Sequence, residues 1–171
     1  DVSTICHQLY KLKKRIIAGD YVDSKKEFNE CKDLFETIKE YAIKVGDERL
    51  ANAQTIYKHY FLLFCNLSLY FCLIKDGEYK SSWPVLQDCM DGIKFIGRHV
   101  EIDARKELPD IYDLLEDYEG LYPYKVFASG EYIIGKSHCS ICGKSMQSLA
   151  CPHIKGNLYY GDIAVEMIDE I

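Results

Sequence analysis

Cys139 and Cys142 are separated by two residues, Gly143 follows at once, and beyond the eight residues 143–150 come Cys151 and His153. Three thiols and an imidazole, arranged as two close pairs, form the ligand set of a tetrahedral zinc site. A glycine directly after the second cysteine permits positive φ, which lets backbone N–H groups turn toward sulfur. Pro152 keeps the backbone extended between Cys151 and His153, so that these alternate side chains face the same ion. The loop between the pairs contains no other ligand type. His138 abuts Cys139 and offers an alternative or additional donor; the spacing favours His153 and leaves His138 at the surface or bonded to a ligand from outside. An iron–sulfur cluster calls for all-thiolate ligation, which one histidine in four does not supply.

Four protein donors close the coordination shell, and no His-Glu pair of the hydrolase or deaminase kind accompanies them. The expected cofactor is therefore one structural zinc per chain. The carboxylates nearest in sequence, Glu131, Asp162 and Glu166, read as solvated surface. No nucleophile–base pair, phosphate-binding glycine loop or paired-carboxylate site is visible, so no catalytic residue is expected and the chain reads as a non-enzyme.

The elements that position this cluster are mostly helical. Val2, Ile5, Leu9, Leu12, Ile16 and Ile17 recur at helical spacing over 2–18, and Gly19-Asp20 ends that stretch. A second helix follows Asp23 or Ser24 as N-cap, carries Phe28, Cys31, Leu34, Phe35, Ile38, Ala42 and Val45, and stops at Gly46. The third, about 47–75, is apolar nearly all round from Tyr60 to Ile74. That run is short for a membrane span and includes Asn66 and Ser68, which favours a buried central helix. Ser82 as N-cap and Pro84 in the first turn predict a fourth helix bearing Val85, Leu86, Cys89, Met90, Ile93 and Ile96, with Trp83 stapling it to its partner. A fifth is expected to begin near Pro109. From 121 the composition turns aromatic and turn-rich, and 131–135 has strand character, predicting a small hairpin that delivers the chain to Cys139. Residues 162–171 fit strand and helix almost equally; helix is preferred, with Asp162 as N-cap.

These elements predict a mainly α protein: a helical hairpin body over 1–120, with about five helices, and a zinc-binding β-hairpin or knuckle appendage over 121–171. Paired helices joined by short Gly-x-Tyr turns resemble tetratricopeptide-like α-α hairpin repeats over about 2–97. That resemblance implies a scaffold binding peptides or proteins in a groove. The stretch from Cys151-Pro152-His153 through Gly156, Tyr159 and Gly161, preceded by Cys139 and Cys142, resembles a pattern found in bacterial and phage-linked proteins, C-x-x-C-G followed by C-x-H-x-x-G-x-x-Y-x-G. It covers about 139–161. The resemblance implies a zinc module ending a larger, often helical protein, with Cys139, Cys142, Cys151 and His153 as ligands and Gly156, Tyr159 and Gly161 shaping the turn and strand beyond.

Composition narrows the functional classes. Net charge is −6 and no block of five basic residues occurs, which disfavours a non-specific phosphate-backbone binder. A nucleic-acid module remains the alternative, with Lys136, Lys144 and Lys155 on phosphates and Tyr159 or Tyr160 stacked on bases. Against it, residues 121–171 hold four lysines and five acidic residues, giving no positive field. The favoured reading is an interaction module whose partner is a protein or another region of the same protein, with no membrane role. Of the eight cysteines, Cys6, Cys31, Cys65, Cys72 and Cys89 sit in helical stretches as small apolar fillers, which points to a reducing, cytoplasmic compartment. The first twenty residues lack a signal-peptide pattern. The chain starts without Met and stops within an apolar pattern, so it is expected to be a piece of something longer.

Overall fold

The computed structural model describes residues 24–101, 108–123 and 136–169, together with His7, Tyr10, Lys11, Lys14, Arg15, Ala18 and Gly19. Most of the helix expected over 2–18 and the strand expected over 131–135, with Cys6 and Glu131, lie outside the described residues. Within them the chain is mainly helical: α1 (Ser24–Lys44), α2 (Glu48–Lys75), α3 (Tyr79–His99) and α4 (Leu108–Gly120) precede four short strands.

Both sharp turns between the long helices use the same physics. At the end of α1, Gly46 has φ 73°, its N–H donates to the Ile43 carbonyl, and the Asp47 N–H donates to the Ala42 carbonyl at 2.9 Å. These paired bonds satisfy carbonyls that a helix end leaves open, and they need a residue able to adopt left-handed φ. Asp47 then caps α2 by accepting the Leu50 N–H on Oδ1 at 2.9 Å. Gly77 (φ 77°) ends α2 in the same manner, with bonds from Gly77 to Ile74 and from Glu78 to Leu73.

The turn at Gly77 leads straight into α3, so that helix starts at Tyr79, earlier than Ser82-Pro84 predicts. Glu78 is its N-cap residue, without a side-chain cap bond, and Pro84 stands inside the helix. Ser82 is buried, and its hydroxyl donates to the Tyr79 carbonyl at 2.9 Å and meets the Tyr122 hydroxyl at 2.5 Å. It is a core polar contact, and its hydroxyl is unavailable to cap backbone N–H groups.

Two units make up the chain, one of 1–38 and 56–123, the other of Lys39–Thr55 with 124–171. In the first, Leu63, Leu67 and Tyr70 of α2, Leu86, Cys89, Met90, Ile93 and Ile96 of α3, Leu108 and Leu115 of α4, and Tyr122 form one core. Trp83 packs on Tyr122 with ring centroids 5.1 Å apart. Phe35, Phe61 and Cys65 form a smaller cluster. Burial pushes the Cys89 thiol up to about 12, with Asp88 adding to the effect, as befits an apolar filler. Among the described residues, α2 alone has the length and composition to cross a membrane, and a third of its most apolar stretch is buried. Between Ile56 and Ile74 only Leu69 is exposed.

The second unit holds the strands. β1 (Lys136–Cys139) pairs antiparallel with β4 (Glu166–Asp169), setting Cys139 opposite Glu166 and His138 opposite Met167. β2 (Leu158–Tyr159) pairs antiparallel with β3 (Asp162–Ile163). The helix preferred for 162–171 is thus overturned over its described part. Asp162 pairs in a hairpin rather than capping a helix, and the backbone groups of 166–169 find their partners on β1.

Candidate metal centre

The first ligand pair sits on a tight knuckle. β1 delivers Cys139, whose N–H donates to the Lys144 carbonyl at 2.8 Å while its own carbonyl accepts the Gly143 N–H at 2.8 Å. Gly143 takes φ 69° to close this turn. The Ile141 N–H points at Cys139 Sγ, 3.4 Å away. Burial raises the pKa of the Cys139 thiol. Hydrogen bonds from the backbone N–H groups of Cys142 and Ile141 and from the Cys142 and Cys151 side chains together outweigh that and hold the thiol below its ordinary value.

The second pair approaches from the loop. The Cys151 N–H donates to the Ser148 carbonyl at 3.0 Å, and Lys144 Nζ reaches over the loop to the Ala150 carbonyl at 3.2 Å. His153 is fixed from outside by Tyr159, whose ring stands edge-on to the imidazole, centroids 4.6 Å apart at 83°. The Tyr159 hydroxyl accepts the Ile154 N–H at 2.9 Å.

These elements bring together Cys139, Cys142, Cys151 and His153, whose donor atoms all lie within 4.8 Å of one another. Cys142 Sγ and Cys151 Sγ are 3.7 Å apart. His153 Nδ1 lies 3.7 Å from Cys139 Sγ and 3.9 Å from Cys151 Sγ. A tetrahedral ion with metal–sulfur bonds of about 2.3 Å and a metal–nitrogen bond of about 2.0 Å has S···S edges of about 3.8 Å and S···N edges of about 3.5 Å. The donor set and these three edges therefore fit one metal ion. The sulfurs stand well beyond the roughly 2 Å of a disulfide, and every described cysteine is free. Cys139 is buried, whereas Cys142, Cys151 and His153 are half-buried.

The other residues singled out by the sequence fall outside this cluster. His138 is half-buried on β1. Glu166 accepts from Ser137 Oγ at 2.6 Å and pairs with Lys155 at 3.1 Å, and these contacts hold its carboxyl below the ordinary value. Asp162 pairs with Lys39 at 2.8 Å. Lys136 and Tyr160 are exposed.

Sequence reasoning missed the residues that hold the β2–β3 turn. The register leaves Tyr160 and Gly161 as a two-residue loop with φ 49° and 82°, the two left-handed positions of a type I′ turn. The Gly161 N–H donates to Asn52 Oδ1 at 2.6 Å, its carbonyl accepts from Thr55 Oγ1 at 2.8 Å, and Asn52 Nδ2 donates to the Leu158 carbonyl at 3.4 Å. The helix corner that supplies these groups is 106 to 109 residues away, and polar residues on a helix face carry no signal of so distant a partner.

Fold and site together define a mainly helical chain with a C-terminal Cys3His cluster among two-stranded sheets. No protein family, curated protein or solved structure matches it.

Proposed function

We propose that the chain is a non-enzymatic, zinc-binding interaction module in which the metal is structural. The observation that carries this reading is the set of four protein donors gathered within 4.8 Å of one another, three of whose separations, 3.7, 3.7 and 3.9 Å, match tetrahedral edges. It lies in a segment that has almost no core of its own. From 136 to 169 the buried apolar side chains are Cys139 and Ala164, and a buried methyl group stabilises by only about 1 kcal/mol. A structural zinc contributes on the order of 10 kcal/mol, enough to fold so small a segment.

Exposed apolar side chains on the same segment, Leu149, Ile154, Met167 and Ile168 among them, support a role in binding a protein or another region of the parent chain. The commitments of Lys155 to Glu166 and of Lys144 to a carbonyl favour that reading over contact with nucleic-acid phosphates.

Metal analysis of the reduced full chain tests the proposal. About one zinc per chain is expected, lost in Cys142→Ser and retained in His138→Ala. A metal-free chain whose residues 136–169 remain folded refutes it.

A further inference from the structure

We infer that Asn52, Thr55 and Lys39 are positioning residues for the metal: by gripping the Tyr160-Gly161 turn they set the affinity of the Cys3His cluster, and the metal in turn sets how firmly that turn is held. The inference rests on the cluster binding zinc, as proposed above.

The two strands that leave the turn are each tied to a different ligand pair. On the β2 side, Tyr159 pairs with Asp162 across the turn. It also braces the second pair, its ring against His153 and its hydroxyl on the Ile154 N–H. On the β3 side the chain is bonded to Ser140, the residue after Cys139. The Ser140 N–H donates to the Val165 carbonyl at 2.9 Å, the Val165 N–H donates to Ser140 Oγ at 3.0 Å, and Ser140 Oγ donates to the Ile163 carbonyl at 3.3 Å. Moving the turn therefore moves both pairs relative to each other, and a tetrahedral site does not tolerate such movement.

The grip on the turn is specific. Asn52 and Thr55 satisfy the donor and the acceptor of one residue, Gly161, and Lys39 pairs with the neighbouring Asp162. The fit is close enough that a Cβ on Gly161 would lie 3.1 Å from the Ala51 carbonyl of α2. None of the three gripping residues belongs to the ligand set. Their effect on the metal is thus a coupling between two sites, and thermodynamic linkage requires it to act equally in both directions.

Zinc itself is the probe, titrated into the reduced full chain in competition with a chromophoric chelator. Asn52→Ala is expected to weaken zinc binding about tenfold, the net scale of losing its two half-buried bonds, to Gly161 and to Leu158. Thr55→Val serves as the second variant should the first not fold. Gln87→Ala, which removes a bond to Glu119 in the helical unit, destabilises without touching the turn and is expected to leave zinc affinity unchanged. Amide exchange reads the reverse direction: chelation is expected to accelerate exchange at Gly161 and to leave the amide of Ile93 unchanged. Zinc bound with wild-type affinity by a folded Asn52 or Thr55 variant, or a Gly161 amide indifferent to chelation, overturns the coupling alone. A wild-type chain that binds no zinc overturns the coupling together with the reading on which it rests.

Discussion

Replacing Gly161 by alanine separates two costs that are usually confounded. Gly161 has φ 82°, where a Cβ costs about 1–2 kcal/mol through its own backbone. The added carbon would also meet Lys39 Cε at 2.6 Å, Thr55 Oγ1 at 2.9 Å and the Ala51 carbonyl at 3.1 Å. The first two belong to side chains able to turn aside, but the carbonyl is part of a helix backbone, so the turn itself must back away and lengthen its bond to Asn52. Losing that bond adds about 1 kcal/mol, for a total of about 2–3 kcal/mol. Gly46 supplies the reference: its φ is 73°, and a Cβ there meets nothing within 4 Å, so Gly46→Ala should cost only the backbone share, about 1–2 kcal/mol. The lone tryptophan, Trp83, lies in the helical unit and does not report on the turn. Amide exchange at Ala164, which donates to the Asn157 carbonyl, is the suitable assay on the zinc-loaded chain. Equal opening free energies at that amide in the two variants would refute the packing argument.

Two further predictions concern polar contacts. Glu166 titrates below its ordinary value because Ser137 and Lys155 bond its charged form; its stabilising contribution is present above the unfolded-state pKa and lost as pH falls through the depressed folded value. NMR titration of the carboxyl carbon should show that depression and show it partly relieved in Lys155→Ala, the Ser137 bond remaining, whereas an unaltered midpoint would contradict the share assigned to Lys155. Tyr122→Phe removes a hydroxyl that meets both Ser82 and, at 3.4 Å, the Tyr70 hydroxyl, but leaves Ser82 its bond to the Tyr79 carbonyl, so the cost is about 1–2 kcal/mol. Urea unfolding followed by Trp83 fluorescence measures it, and a loss above roughly 3 kcal/mol would mean that the hydroxyl network carries more than these two ordinary bonds.

What the sequence made legible was local. The cysteine spacing, Gly143 after the second thiol and Gly46 at a helix end act within a few residues, and each has the conformation its neighbours demand. Residues 162–169 were misread because their apolar spacing suits either period; the deciding fact is the pairing of β4 with β1, set by residues about thirty positions upstream. Ser82 before a proline carries the signature of a cap, yet the turn at Gly77 had already started the helix, and the hydroxyl's real partner, Tyr122, is forty residues away. The turn grip was illegible for the same reason: Asn52 on α2 resembles any surface asparagine until Gly161 is placed beside it.

The wide separation of Asn52 from Gly161 also has a consequence in time. The helix corner leaves the ribosome 109 residues before the glycine that it grips, a delay of roughly 5–20 s at ordinary synthesis rates. In that interval residues 56–123 of the first unit are made, while Gly161, to which Asn52 and Thr55 bond in the folded protein, has yet to be added. Completion of the second unit therefore waits until the strands and metal ligands of 136–169 have emerged.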